Sequence, residues 1–286
     1  MKRTGRSAIR RWTTDRLVRR ALNLGTSRLG WEAVVQLQGR GSPATLHAIE
    51  RLLLSPNPRR RTLGLDIAAQ LGRGPARGGE AATPYALEAT QALLVRGLDD
   101  ANAGVLAAAI VGLGHRPAPS ALPALLAHES HPDQRVRLAL AHALAGWPGP
   151  EATGAVMRLA VDRDDSVRDW ATFSLGTLSE ADDDAIRSLL WDNAHDPDRD
   201  VRGEAVVGLA RRSDSRVIAL LQERLPDDDC RIYELEAAQE MPRAELLQVL
   251  QRVREDADRL PDLDPYWYGR LLDAIDACEL VADAAA

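Results

Sequence analysis

Few residues of this 286-residue chain stand at spacings that catalysis or metal binding requires. His128, Glu129 and His131 lie close together, and imidazole and carboxylate side chains in one run can ligate a metal ion. It is a single run directly before Pro132, and it reads as a polar turn. Asp182-Asp183-Asp184 and Asp227-Asp228-Asp229 are paired acids of a kind that can serve general acid–base work. Each run falls where a helix should begin, and carboxylates there complement the helix dipole. Cys230 and Cys278 are too distant in sequence for a zinc motif. No glycine-rich phosphate loop or nucleophile elbow is present. No catalytic residue is assigned, no metal or cofactor is expected, and the chain is expected not to be an enzyme.

One charged constellation does recur. Asp-x-x-Val-Arg appears as Asp133, Val136, Arg137, as Asp164, Val167, Arg168, and as Asp198, Val201, Arg202. A fourth copy, Asp227, Cys230, Arg231, replaces the valine with another small residue, expected to be buried. The valine position advances by 31, 34 and 29 residues, a period that marks a stacked supersecondary unit. The Asp lies where the chain enters a helix, so its carboxylate should cap the first turn, worth about 1 kcal/mol. The Arg should lie at the seam between units. Asp133, Arg137, Asp164, Arg168, Asp198, Arg202, Asp227 and Arg231 are thus expected to form a structural ladder.

With the valine as position zero, positions +4 and +8 continue an apolar stripe through Leu140 and Leu144, Ala171 and Leu175, Ala205 and Leu209. Position +7 stays small, as Gly112, Ala143, Ser174 and Gly208. Leu63, Ile67 and Leu71 predict an earlier copy over 59–72, and the copy around Val105 keeps the stripe without the Asp and Arg. Upstream of each turn lies a partner stripe, such as Ile186, Leu189, Leu190. Each unit is therefore helix, Pro/Asp turn, helix, and six are expected: 43–72, 84–114, 119–146, 150–178, 181–211 and 213–240. Residues 1–42 should form a basic tail and capping helices, 43–240 the array, and 241–286 two C-terminal capping helices.

Composition agrees with helices packed through small residues: aromatics are 4% of the chain, which suits a sheet poorly. No apolar run reaches the length of a membrane span, and no secretory-type leader is apparent. With two cysteines and no sign of an oxidising compartment, the expected location is the cytoplasm. The net charge of −6 is uneven, since residues 1–73 hold fifteen Lys or Arg against four Asp or Glu. Lysine occurs once, at Lys2.

The stretches Val167-Arg168-Asp169-Trp170-Ala171-Thr172 to Leu175-Gly176 and Val201-Arg202-Gly203-Glu204-Ala205 to Gly208-Leu209-Ala210 resemble the second helix of HEAT-like repeats, especially the short kind named after phycobiliprotein lyases. The resemblance covers residues 43–240. It implies an all-α, right-handed α-solenoid whose second helices line a concave wall. Repeat-based hydroxylases of similar fold need several His-Glu pairs to hold two irons, and this chain has one.

On a helix that buries 0, +4 and +8, positions +2, +3 and +6 point outward. Leu138, His142, Asp169, Trp170, Phe173, Glu204, Val207, Tyr233 and Glu236 occupy such positions and are the candidate partner-binding residues. Trp170 and the sole Phe, Phe173, fall together, and exposed aromatics flanked by polar groups are how interface anchors look. The expected function is a protein–protein interaction scaffold. Two alternatives stand beside it. One is a nucleic-acid-binding or DNA-glycosylase-like repeat protein, with the basic N-terminal region as the contact and Asp169-Trp170 as a faint echo. The other is a bilin lyase or chaperone, implied only by the repeat's family name.

Overall fold

Polar caps dictate where the helices of this chain begin. In the computed structural model, which describes residues 9–73, 84–227, 230, 232–259 and 263–284, the Asp164 side chain accepts the Val167 N–H at 3.3 Å, and Asp198 accepts Asp200 and Val201 N–H at 3.0 and 3.1 Å. Asp133 accepts the Arg135 N–H at 2.9 Å. Where Asp is absent, asparagine substitutes: Asn57 accepts Arg59 N–H, and Asn102 accepts Gly104 and Val105 N–H. Each cap satisfies donors that the first helical turn leaves free.

The chain divides into two compact units, Met1–Leu144 and Ala145–Ala286. The first contains α1 (Thr14–Leu24), α2 (Arg28–Gln38), α3 (Pro43–Leu53), α4 (Pro58–Ala69), α5 (Leu87–Gly97), α6 (Ala103–His115), α7 (Leu122–Leu126) and α8 (Gln134–Leu144). The second contains α9 (Pro150–Leu159), α10 (Asp165–Phe173), α11 (Asp184–Asn193), α12 (Arg199–Arg211), α13 (Arg216–Arg224), α14 (Ile232–Glu240), α15 (Ala244–Ala257) and α16 (Pro265–Ala284). The described elements are all helical. The chain is an α-solenoid of helix pairs, and the expected capping helices are themselves pairs, α1/α2 and α15/α16, built like the rest. The predicted loop between Gly72 and Pro84 lies almost wholly outside the described residues, as do Asp228, Asp229 and Arg231.

Second helices stack on second helices. In the first unit α4 packs between α2 and α6, and α6 on α8; in the second α10, α12, α14 and α16 follow one another. The apolar stripe is the glue, with Val136, Leu140, Val167, Ala171, Val201, Ala205 and Leu209 fully buried. Small residues set the spacing: a Cβ on Gly208 would come within 2.6 Å of the Gly176 Cα, so Gly208 admits no side chain, and one on Gly176 would meet the Glu204 carbonyl at 3.0 Å. The second helix of its pair continues past α10 as a π-turn, Ser174–Leu178.

The first copy of the repeat starts three residues earlier than its apolar stripe suggests. Asn57 is its cap and Arg61 its ladder arginine, so position zero is the exposed Arg60. Leu63 and Ile67 are buried, at positions +3 and +7. Cys230, expected to be buried, is half-exposed, and its carbonyl accepts the Trp267 indole N–H at 3.2 Å.

Candidate partner-binding face

The ladder arginine Arg168 pairs not with a capping aspartate but with an aspartate two places before the next cap. Arg168 forms a bidentate ion pair with Asp196, both bonds at 2.9 Å, and donates to the Asp162 carbonyl of its own turn. Arg61 repeats this arrangement with Asp100 at 2.6 and 2.9 Å and with the Ser55 and Pro56 carbonyls. Arg137 and Arg202 likewise donate to the carbonyls of their own turns. Position −5 carries the acceptor: Ser55, Asp100, His131, Asp162 and Asp196 each accept the N–H of the capping residue two places on. His131, a candidate metal ligand by spacing, is thus engaged in a turn. Among the described residues no group of three or more His, Cys, Asp or Glu is arranged to hold a metal.

At the other end of the second helices a buried arginine does similar work. Arg116 is 1% exposed and donates to the Ala69 carbonyl at 3.0 Å, to Thr90 Oγ1 at 2.8 Å, and to the Tyr85 and Leu71 carbonyls. Arg212 donates to the carbonyls of Leu175, Gly176, Ser179 and Ala181. Both stand at position +11, and each satisfies carbonyls that the preceding second helix exposes at its C-terminus. Burial, then the charge of Arg73, pulls the pKa of Arg116 down to about 10, so it stays charged at neutral pH.

What the second helices present outward differs sharply from this uniform stitching. On α10, Trp170 and Phe173 meet edge to face, with ring centroids 5.6 Å apart at 89°. Both are half-buried. One position before, Asp169 belongs to an acidic group with Glu204 on α12 and Glu236 on α14. Burial first, then Asp200, Asp198 and Asp165, pushes Asp169 up to about 6. Burial, then Asp169, Glu236 and Asp200, pushes Glu204 up to about 7, against a lowering hydrogen bond from Tyr233. The Tyr233 hydroxyl is pushed up by burial and by Glu204, Asp200, Asp169 and Glu236. Its ring lies on α12 because Gly203 leaves room: a Cβ there would come within 2.1 Å of the Tyr233 ring.

Among the described residues no Lys or Arg forms an ion pair with Asp169, Glu204 or Glu236. Val207 leaves the set, since it is 2% exposed and offers no surface: α12 is enclosed by α10, α11 and α14. In the first unit, Leu138 and His142 are half-buried on α8, and burial together with His115 lowers the His142 pKa.

The HEAT-repeat family matches residues 90–176 and 158–242, together more than half of the chain. The chain belongs to the HEAT-repeat family. Protein YibA of Escherichia coli K12 is 31% identical over 115 residues, covering 40% of this chain and 41% of YibA, and YibA of strain O157:H7 matches equally. The aligned stretch therefore spans less than half the length of these curated relatives. The X-ray structure of E. coli YibA superposes with a TM-score of 0.71 at 23% identity, over 98% of this chain and 99% of that chain. The crystal structure of an engineered protein gives 0.51 at 18%, over 92% and 77%. At these identities the structural likeness speaks for the fold. HEAT repeats serve widely as protein-binding surfaces, and no described helix is long and apolar enough to cross a membrane.

Proposed function

We propose that this HEAT chain is a non-catalytic protein-binding scaffold. Its repeat array is residues 43–240, and the second-helix face of α10, α12 and α14 receives a partner segment both apolar and basic. One observation carries the reading: a half-exposed aromatic pair, Trp170 and Phe173, stands on the same face as an acidic group without a described counter-ion. Aromatic anchors of this kind dominate interface energetics when a partner covers them. A lysine or arginine from the partner would relieve the mutual repulsion of Asp169, Glu204 and Glu236, and electrostatic complementarity of that kind sets specificity. The same carboxylates repel phosphates, so this face does not suit nucleic acid.

The test is selection from a displayed peptide library against the whole protein, followed by calorimetry on the enriched peptides. Enriched sequences combine Lys or Arg with aliphatic or aromatic residues, and Trp170→Ala with Phe173→Ala weakens them at least tenfold. Enrichment of acidic peptides, or unchanged affinity for the folded double variant, would sink the proposal.

A further inference from the structure

A second site lies in the first unit. A cavity of about 640 Å³ opens between the end of α1, α2 and the start of α4, with Leu24, Trp31, Val34, Arg59 and Asp66 among its lining residues. Asp66 sits at position +6 of α4 on the cavity wall. Its backbone carbonyl accepts Gln38 Nε2 at 2.8 Å, but its carboxylate receives no hydrogen bond from the described residues. Burial pushes that carboxyl up to about 6, and among the described residues no Lys or Arg forms an ion pair with it. Ser27 caps α2, which puts Trp31 at position +1, where the later pairs carry their ladder arginine. The α1/α2 pair therefore offers an indole, 49% exposed, at that position in place of a guanidinium.

We propose that this cavity binds an organic cation, an ammonium or guanidinium group on an aliphatic stem, with Asp66 as its counter-ion and the Trp31 ring alongside. A carboxylate partly withdrawn from water without a partner is costly, and a cation that hydrogen-bonds to it recovers that cost. An adjacent indole face attracts the same charge, and Leu24 and Val34 receive the stem. Arg59, exposed on the lining, repels the ligand and so limits how tightly it is held.

The probes are n-pentylammonium, its neutral isostere pentan-1-ol, and N-acetyl-lysine-N-methylamide, each titrated by NMR into the whole protein. Pentylammonium is expected to saturate amide shifts around Asp66 and the Trp31 indole, with pentan-1-ol at least tenfold weaker. Asp66→Asn, nearly isosteric, should weaken the ammonium by about 10- to 100-fold, the range of a hydrogen bond to a charged group. Trp31→Ala should weaken it by about two- to fivefold, as for a half-exposed cation–π contact. Equal binding of the lysine derivative assigns the site to a peptide-borne cation, and binding of pentylammonium alone assigns it to a free amine. No saturation by either cation, equal affinity for pentan-1-ol, or an unchanged Asp66→Asn variant would overturn the inference. The comparison of amine with alcohol needs only the wild-type chain.

Discussion

The two units of this HEAT protein are stitched alike and faced differently. Arg61 with Asp100 in the first unit and Arg168 with Asp196 in the second make the same bidentate pair at the same repeat positions. Arg116 and Arg212 at position +11 collect the same class of helix-end carbonyls. Outward positions share no such rule. On α6, positions +2, +3 and +6 are Ala107, Ala108 and Val111; on α10 they are Asp169, Trp170 and Phe173. In a stacked fold, residues that recur hold the stack, and those that break the pattern are free to serve a partner.

The stitching half of this comparison breaks hardest at Arg116. Arg116→Met should cost about 3 kcal/mol or more in urea unfolding, because carbonyls of Ala69 and Leu71 and the Thr90 hydroxyl lose a buried donor together. Loss of less than about 1 kcal/mol would mean that water replaces the guanidinium.

Arg168→Ala should cost about 1.5–3 kcal/mol, since its side chain is only 15% exposed and its bonds to Asp196 are charge-assisted. Arg135→Ala, which breaks an ion pair with Asp133 in which Arg135 is 67% exposed, should cost under about 0.5 kcal/mol. Equal effects at the two sites would undo the distinction between ladder and surface pairs.

The outward half is probed by smaller changes. Gly203→Ala should displace the Tyr233 ring and cost about 1–3 kcal/mol as an overpacked contact, seen in near-ultraviolet dichroism as well as in stability. Acidification tests the carboxylate group. Folding raises Glu204 from 4.5 to about 7 and Asp169 from 3.8 to about 6, so each opposes folding when ionised. That opposition is fully present above the folded values and is relieved as pH falls through them toward the unfolded values. The second unit should therefore gain stability between pH 8 and pH 5. Glu204→Gln should raise Tm at pH 8 by about 2–4 °C, an order of 1 kcal/mol after solvent screening, and should flatten the pH profile. An unchanged profile would mean that water reaches both carboxyls in the folded protein and that they do not repel one another.

How much of this was legible follows from chemistry. Period, stripe and caps each draw on one narrow class of residue in one role, so the helix pairs and the HEAT resemblance could be read directly. The −5 acceptors could not, because Ser55, Asp100, His131, Asp162 and Asp196 fill one role with three chemistries. Arg116 and Arg212 share a repeat position, but that becomes visible only once the frame is aligned. Asn57 and Arg60 hid the register of the first copy by replacing the Asp and the valine at once. Val207 shows the limit of helical periodicity: a helix enclosed on three sides buries positions that a lone amphipathic helix exposes. Asp66 carried no signal at all, since its importance lies in what fails to reach it.

The proposed role of the α10, α12 and α14 face is to bind an apolar, basic segment through Trp170 and Phe173. Calorimetric titration of a library-selected peptide into the wild-type protein and the Trp170→Ala/Phe173→Ala variant measures it most directly. The expected peptide is rich in Lys or Arg and apolar residues, with affinity at least tenfold lower for the folded variant. Equal affinity for the two proteins would contradict it.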